Sequence, residues 1–177
     1  MGIDSREFRR SLGQFASGVT VVTTRDAEGR PQGLTASSFC SVSLEPPLVL
    51  VCIDNRIEAR RAVQESGVFA VSVLAEAQES VSRQFAAGGP DKFIGVELLP
   101  GASGAPLVSG ALTHIECRLV AAHPAGDHTI FVGEVERLTS APGLPLLYHG
   151  SAYHRLREPP EAGGPHEVAG ATVRDRV

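Results

Sequence analysis

The sequence predicts a mainly β protein, an antiparallel barrel with a few peripheral helices. At least six segments are rich in β-branched or alternating apolar residues, whereas only three short segments have helical periodicity. A doubly wound parallel sheet would need strands and helices that alternate regularly, and here they do not. A dinucleotide-binding sheet would also need a Gly-x-Gly-x-x-Gly turn after its first strand, and the glycines at 101 and 104 lie in a predicted loop instead.

Composition narrows the class of protein. The 177 residues are enough for one domain with a hydrophobic core, and 42% hydrophobic and 20% charged residues are typical of a globular protein. A net charge of -4 argues against a nucleic-acid partner. The N-terminal segment has no apolar signal-peptide core, and the apolar run at 48–53 is too short to cross a bilayer. We therefore expect a cytoplasmic protein with no membrane attachment.

The cysteines and histidines do not form a metal-ligand pattern. Cys40, Cys52 and Cys117 are odd in number and widely spaced, which suits reduced packing residues better than a disulfide framework. The histidines at 114, 123, 149 and 154 lack helical i,i+4 spacing and have no cysteine or carboxylate companions. We expect surface histidines and no metal site.

The first predicted element is an amphipathic helix at 4–16, ended by Gly18. Asp4 and Glu7 have the spacing of a capping box at its start. Three apolar residues fall on one face of this helix: Phe8, Leu12 and Phe15. Such a stripe more often packs in a core or a dimer contact than binds a ligand.

Three strands follow this helix. A β-branched run at 19–24 is predicted to pair, across a turn at 26–30, with the stretch that begins at Gly33. Pro46 and Pro47 end that stretch. The run at 48–53 is apolar without alternation, which predicts a strand covered on both faces.

The remaining elements follow from periodicity and from glycine and proline breaks. Asn55 and Glu58 have capping-box spacing before a helix at 56–66 that stops at Gly67. A clean alternation at 112–120 predicts a half-exposed strand with Glu116 on its outer face. The other predicted elements are a strand at 68–74, a helix at 76–87, a loop at 90–110, strands at 128–136 and within 144–156, and a disordered tail at 158–177 after a single domain at 1–157.

The stretch at 33–47 is the strongest candidate for a binding site. Thr35, Ser37 and Ser38 form a row of small hydroxyl residues next to a strand that reads as buried. Hydroxyls and backbone N–H groups on a stiff sheet suit a ligand rich in carbonyl and phosphate oxygens. The alternative is an ordinary sheet edge with solvated Ser and Thr side chains.

The order of motifs resembles the short-chain flavin reductases, the small components of two-component flavin-dependent monooxygenases. The similarity covers residues 8–156. Its motifs are FASGVTVVT at 15–23, GLTASSF at 33–39, SVSLEPPL at 41–48, SRQFA at 82–86, DKF at 91–93, GDH at 126–128 and GEV at 133–135.

The resemblance implies a Greek-key split β-barrel of the FMN-binding type, a homodimer that binds FMN or FAD and reduces it with NADH or NADPH. Reduced flavin then passes to a partner oxygenase. Hydride moves between the cofactors, so the protein supplies stacking, orientation and electrostatics and needs no acid–base dyad. Two other functions remain open: a flavin-binding carrier without turnover, and a flavin-bound oxidoreductase that acts on an organic substrate.

The resemblance also implies site residues. His128 is expected beside the nicotinamide and the flavin ring as the catalytic residue, and Arg83, Phe85 and Lys92 are expected to close over the phosphate. Ile57, Glu58 and Ala59 stand where the family more often has small hydroxyl residues. The full set of implied cofactor-binding residues is Thr35, Ala36, Ser37, Ser38, Phe39, Ser41, Cys52, Ile53, Asp54, Asn55, Arg56, Arg60, Arg83, Phe85, Ala86, Lys92, Phe93, His128 and Tyr153.

Overall fold

A computed structural model of the chain describes residues 2–156. The predicted tail at 158–177 lies outside the described residues. The helices are α1 (Ser5–Leu12), α2 (Glu58–Ser66) and α3 (Glu79–Ala86). The strands are β1 (Ser17–Gly18), β2 (Thr20–Arg25), β3 (Pro31–Ala36), β4 (Phe39–Leu44), β5 (Pro47–Asp54), β6 (Val68–Val73), β7 (Leu98–Pro100), β8 (Pro106–Val108), β9 (Thr113–Ala125), β10 (His128–Ser140), β11 (Leu146–His149) and β12 (Ala152–Arg155).

The predicted mainly β, antiparallel class is confirmed. Seven strands form one antiparallel sheet in the order β3-β2-β6-β9-β10-β5-β4, and its inner face encloses a core with α2. That core draws on strands from across the sheet, including Leu34 on β3, Val51 on β5 and Phe69 on β6. The edge strands β3 and β4 do not pair with each other, so hydrogen bonds do not close the barrel. Two small sheets, β1-β11-β12 and β7-β8, complete the described fold.

The first helix is shorter than predicted. Asp4 caps it by accepting bonds from the backbone N–H groups of Arg6 and Glu7, at 2.9 and 3.0 Å. It ends at Leu12 rather than at residue 16, and Ser17 and Gly18 beyond it pair with β11. The apolar stripe lies outside the described core: Phe8, Leu12 and Phe15 are 52%, 59% and 79% exposed.

The apolar run predicts that strand β5 is covered on both faces, but only one face is buried. Val49, Val51 and Ile53 point into the core, whereas Leu48, Leu50 and Cys52 on the opposite face are only half-buried. The double proline acts as expected, since β4 ends at Leu44 and β5 begins at Pro47.

The predicted loop at 90–110 contains the β7-β8 hairpin. Side chains from the main sheet hold this hairpin: Ser72 Oγ accepts from Val108 N–H at 3.1 Å, and Thr23 Oγ1 donates to Pro106 O. The alternation on β9 also predicts the wrong environment for Glu116, which it places on the outer face. Its side chain is 7% exposed and accepts from Ser103 N–H at 2.7 Å. Local pattern did not predict these features because they depend on tertiary hydrogen bonds.

None of the helices within residues 2–156 has the length and apolar character needed to cross a bilayer.

Candidate functional site

A cleft of about 670 Å³ opens at one end of the main sheet. One wall is the start of β3 with the turn before it, residues 30–33. The second wall is the start of α2, residues 56–59, and the third is formed by Gly88, Gly89, Lys92 and Phe93. Three of these lining residues, Arg56, Lys92 and Phe93, belong to the predicted site, and Gly33 opens the predicted stretch at 33–47.

The floor beside Gly33 is aromatic. Phe85 is fully buried and meets Phe93 edge to face, with ring centroids 4.9 Å apart. A Cβ on Gly33 would lie 2.8 Å from the Phe85 ring and 3.1 Å from the Phe93 ring. Glycine at this position therefore lets β3 lie directly against the rings of Phe85 and Phe93. Gly33 opens the stretch predicted to bind a ligand, but local pattern did not predict this packing role, because it depends on the distant rings.

Lys92 is the only lysine of the sequence. Its Nζ donates to Gly33 O at 3.2 Å. Burial lowers the pKa of Lys92, and the charge of Glu58 raises it by a smaller amount. No carboxylate within residues 2–156 forms an ion pair with it. The cleft thus holds a partly desolvated cation without a counter-ion.

The other two cations of the cleft are already paired. Arg56 forms a bidentate pair with Asp54, at 3.0 and 2.6 Å, and this pair holds the pKa of Asp54 well below its usual range. Arg30 contacts Asp26 and Glu28, each at 2.9 Å. Lys92 is therefore the cation best placed to meet an added anion.

The corner between β5 and α2 is tied to β10. Asn55 Oδ1 accepts from Thr129 Oγ1 at 2.7 Å, and Asn55 Nδ2 donates to Gly126 O at 3.3 Å. Arg60 Nε donates to the same threonine oxygen at 3.3 Å. The predicted capping role of Asn55 is wrong, because its side chain makes these bonds and α2 begins after Ile57 without a side-chain cap.

His128 opens β10 opposite Asp54 on β5. Its Nδ1 lies 2.7 Å from Asp127 Oδ1. Because the carboxylate can only accept, Nδ1 carries the donated proton, and Nε2 makes no hydrogen bond within residues 2–156. The same contact lowers the pKa of Asp127.

Two of the three residues in the hydroxyl row are tied to neighbouring elements by hydrogen bonds. Thr35 Oγ1 donates to Ser82 O at 2.6 Å and so joins β3 to α3. Ser38 Oγ donates to Cys52 O at 2.9 Å, and Cys52 N–H donates to Ser38 O at 3.3 Å. Ser37 and Ser41 are exposed, and Ala36 is buried. These contacts fix the bend between β3 and β4 against β5.

Several predicted residues lie apart from the cleft. Arg83 does not line it, because an i,i+4 pair with Glu79 at 2.7 Å and the Tyr153 ring at 4.8 Å hold the guanidinium. Tyr153 OH bonds Ser82 Oγ at 2.7 Å. Ile53 and Phe85 are fully buried, so their side chains support the site from beneath. Phe39 packs against the core, and Ala86 is exposed at the end of α3.

The chain was compared with known proteins. The family model described as "Flavin reductase like domain" matches residues 12–157. The chain is 43% identical over 152 residues to the reductase subunit HsaB of a flavin-dependent monooxygenase from Rhodococcus jostii, covering 85% of this chain and 77% of that one. It is 45% identical over 152 residues to an NADH-dependent flavin reductase of a Rhodococcus species, covering 84% of each.

A solved structure has the same fold. The NADH:FAD oxidoreductase SgcE6 of Streptomyces globisporus, in complex with NAD and FAD fragments, superposes with a TM-score of 0.82 at 41% identity, covering 92% of this chain and 99% of that one. The sequence comparison and the structural comparison indicate the same family. The chain belongs to the flavin reductase-like family.

Proposed function

We propose that this chain is an NADH-dependent flavin reductase that supplies reduced flavin to a flavin-dependent monooxygenase. The names of its relatives support both the reaction and the monooxygenase partner. The structural observation that carries the proposal is Lys92, which forms no ion pair within residues 2–156 and lines a cleft at the start of β3.

The residues present fit a flavin nucleotide. A cleft of about 670 Å³ is within the usual size of a cofactor site. Lys92 would meet the phosphate with a charge-assisted bond. The bend at Ser37 and Ser38, held against β5 by the bond from Ser38 to Cys52, would present backbone groups to the polar edge of the ring system. When both cofactors are bound, hydride passes from the nicotinamide to the flavin.

His128 is the residue proposed to act at the ring end. Asp127 holds its tautomer, so Nε2 is oriented without further rearrangement. Asp54, opposite His128, is occupied by Arg56 and stays ionised. The chain's own contribution is thus to bind, to orient and to keep one imidazole nitrogen available to the ligand.

One assay tests the proposed function. Purified protein is mixed with NADH and excess FMN or FAD, and absorbance is followed at the nicotinamide and flavin bands. Catalytic loss of both bands is expected. Flavin binding without NADH consumption would instead support the carrier function, and NADH consumption that requires an added organic compound would support the third alternative.

Replacing Lys92 with methionine is expected to weaken flavin binding without weakening the fold. Loss of one charge-assisted contact should raise the flavin Kd a few-fold to tens-fold, a change of about 1–2 kcal/mol. Because burial lowers the pKa of Lys92, the folded chain binds that proton less tightly than the unfolded chain does. The charged side chain therefore costs stability at neutral pH, and this cost disappears as the pH rises toward the unfolded pKa. The midpoint of urea unfolding at pH 7 should stay the same or rise.

The single lysine offers an independent check. An amine-acetylating reagent can modify only Lys92 and the N-terminus, and mass spectrometry of peptides separates the two. Saturating flavin should slow acetylation of Lys92 but not of the N-terminus. Equal acetylation with and without flavin would remove Lys92 from the site.

Arg137→Met is the control for the Lys92→Met binding measurement. It removes a cation on the far half of β10 and should leave the flavin Kd unchanged.

We also propose a cytoplasmic homodimer. On the outer face of β5, half-exposed Leu48 and Leu50 pair with Ser43 and Cys40 of edge strand β4. The same edge strand carries Val42 and Leu44, which are 49% and 75% exposed. An apolar surface of this kind on an edge strand favours pairing with a second copy. Three free cysteines suit a reducing compartment.

Changing Val42 and Leu44 together to aspartate is expected to convert the dimer to a monomer, because buried carboxylates would oppose association. Light scattering after size-exclusion chromatography gives the mass directly. Leu99→Asp is the control: Leu99 is 40% exposed but lies on the β7-β8 hairpin, which packs on β2 and β6. A monomeric wild-type chain, or loss of the dimer in the control, would contradict the proposed interface.

A further inference from the structure

The turn that carries Lys92 has little regular structure of its own. It is a short 3₁₀ turn, Pro90–Phe93, in which Asp91 departs from helical geometry with φ −89° and ψ 15°. Gly88 and Gly89 join this turn to the end of α3, and glycine restricts the backbone less than any other residue. Hydrogen bonds within a 3₁₀ turn also have poor geometry. The position of Lys92 therefore depends on contacts from outside the turn.

Gln84 of α3 supplies such contacts. Its Nε2 donates to Asp91 O at 3.4 Å, to Lys92 O at 3.1 Å and to Ile94 O at 2.8 Å. All three partners are carbonyl oxygens, which can only accept, so the amide nitrogen rather than the amide oxygen faces the turn. The bond to Lys92 O fixes the backbone of the residue whose side chain lines the cleft.

The next residue of α3 holds the same turn from a second side. Phe85 is fully buried and contacts the Phe93 ring edge to face, with centroids 4.9 Å apart. Lys92 Nζ in turn donates to Gly33 O at 3.2 Å. With its backbone and one ring fixed to α3, the turn keeps the ammonium against β3 and partly out of water. Burial accordingly lowers the pKa of Lys92.

We infer that Gln84 is a positioning residue for flavin binding, which holds the turn so that Lys92 meets the flavin phosphate. Gln84 does not line the cleft, so it acts through Lys92 rather than on the ligand. A side chain that is held in place before binding loses less freedom on binding, and its contact with the ligand is therefore stronger. The inference rests on the proposed function and names the residue that organises its phosphate contact.

Replacing Gln84 with methionine removes the donors and nearly keeps the length of the side chain. In isothermal titration calorimetry, the Kd of FMN and of FAD should rise roughly three- to tenfold. The Kd of riboflavin, which carries no phosphate, should change by less than about twofold. In the Lys92→Met background, Gln84→Met should change the FMN Kd by less than about twofold, because the contact that it organises is already lost. Gln84→Asn keeps the amide but is too short to reach the turn, and should behave as Gln84→Met does.

A second measurement does not depend on flavin. Because Lys92 is the only lysine of the sequence, the pH dependence of its acetylation reports its pKa. In Gln84→Met this pKa should rise toward the ordinary value for lysine, since a released ammonium returns to water. The charged groups that share the cleft or the turn with Lys92 are unaltered by the substitution: Arg30, Arg56, Glu58 and Asp91.

Gln78→Met is the matched control. Gln78 precedes α3 and also joins two segments through its amide, which accepts from Ala75 N–H at 3.0 Å and donates to Ser109 O at 2.8 Å. Its loss should lower the midpoint of urea unfolding about as much as Gln84→Met does, but should leave the flavin Kd values and the pKa of Lys92 as in the wild type.

Three results would overturn the inference: an equal effect of Gln84→Met on the FMN Kd with and without Lys92, an unchanged pKa of Lys92 in Gln84→Met, or the same changes in Gln78→Met. Failure of the wild type to bind any of the three flavins would overturn the proposed function, and the role of Gln84 in binding with it. The pH profile of acetylation would still decide whether Gln84 holds Lys92 in place.

Discussion

Replacing His128 with alanine is expected to slow hydride transfer about a hundredfold, the lower end of the range for a positioned imidazole, while the flavin Kd changes by less than about twofold. The imidazole lies at the first residue of β10, and its Nδ1 is fixed by Asp127 at 2.7 Å. It is separate from the cation, Lys92, that is proposed to bind the phosphate. Rate and affinity should therefore respond to different residues.

Stopped-flow single-turnover reduction by NADH measures this rate without product release. Asp127→Asn keeps the imidazole but removes the carboxylate that sets its tautomer, so an intermediate rate is expected. His123→Ala is the matched control, since His123 is an exposed histidine that pairs with Ile130 on the same β-ladder. Wild-type rates in His128→Ala would remove His128 from the catalytic site.

The sequence predicted the sheet well because local chemistry specifies it. The β-branched run at 19–24 and the Gly126-Asp127 turn need no distant partner to be recognised, and both lie as expected in β2 and between β9 and β10. The β7-β8 hairpin was missed for the opposite reason. Its strands are three residues long and are held by Ser72 and Thr23 of other strands.

The arrangement of the candidate site depends on tertiary contacts more than the sheet does. Lys92 and Arg56 come together around one cleft, but Arg83 does not join them, because Glu79 and Tyr153 hold its side chain elsewhere. Spacing alone does not reveal which carboxylate captures an arginine. The role of Gly33 was likewise invisible, since it depends on two phenylalanines more than fifty positions along the chain.

Gly133→Ala is expected to destabilise the fold by about 3 kcal/mol, the upper end of the usual cost of overpacking a core. Gly133 lies where β10 bulges between β9 and β5. An added Cβ would sit 2.5 Å from the Phe69 ring and 2.8 Å from Cys117 Cβ, and both residues are fully buried. The Phe69 ring can turn, but Cys117 Cβ is fixed to the backbone of β9, so the strands themselves must move apart.

Urea unfolding measures the loss, and two further variants identify its cause. Gly18→Ala meets nothing within 4 Å and should leave the midpoint nearly unchanged. Phe69→Leu combined with Gly133→Ala should cost less than the sum of the two single changes, because the smaller side chain removes one of the two clashes. Strict additivity would contradict the clash as the cause, and would point to the backbone of β10 instead. Since β10 carries His128 at one end and Gly133 near its middle, a variant that separates these strands should also lower activity in proportion to the unfolded fraction, whereas His128→Ala should lower activity in a fully folded protein.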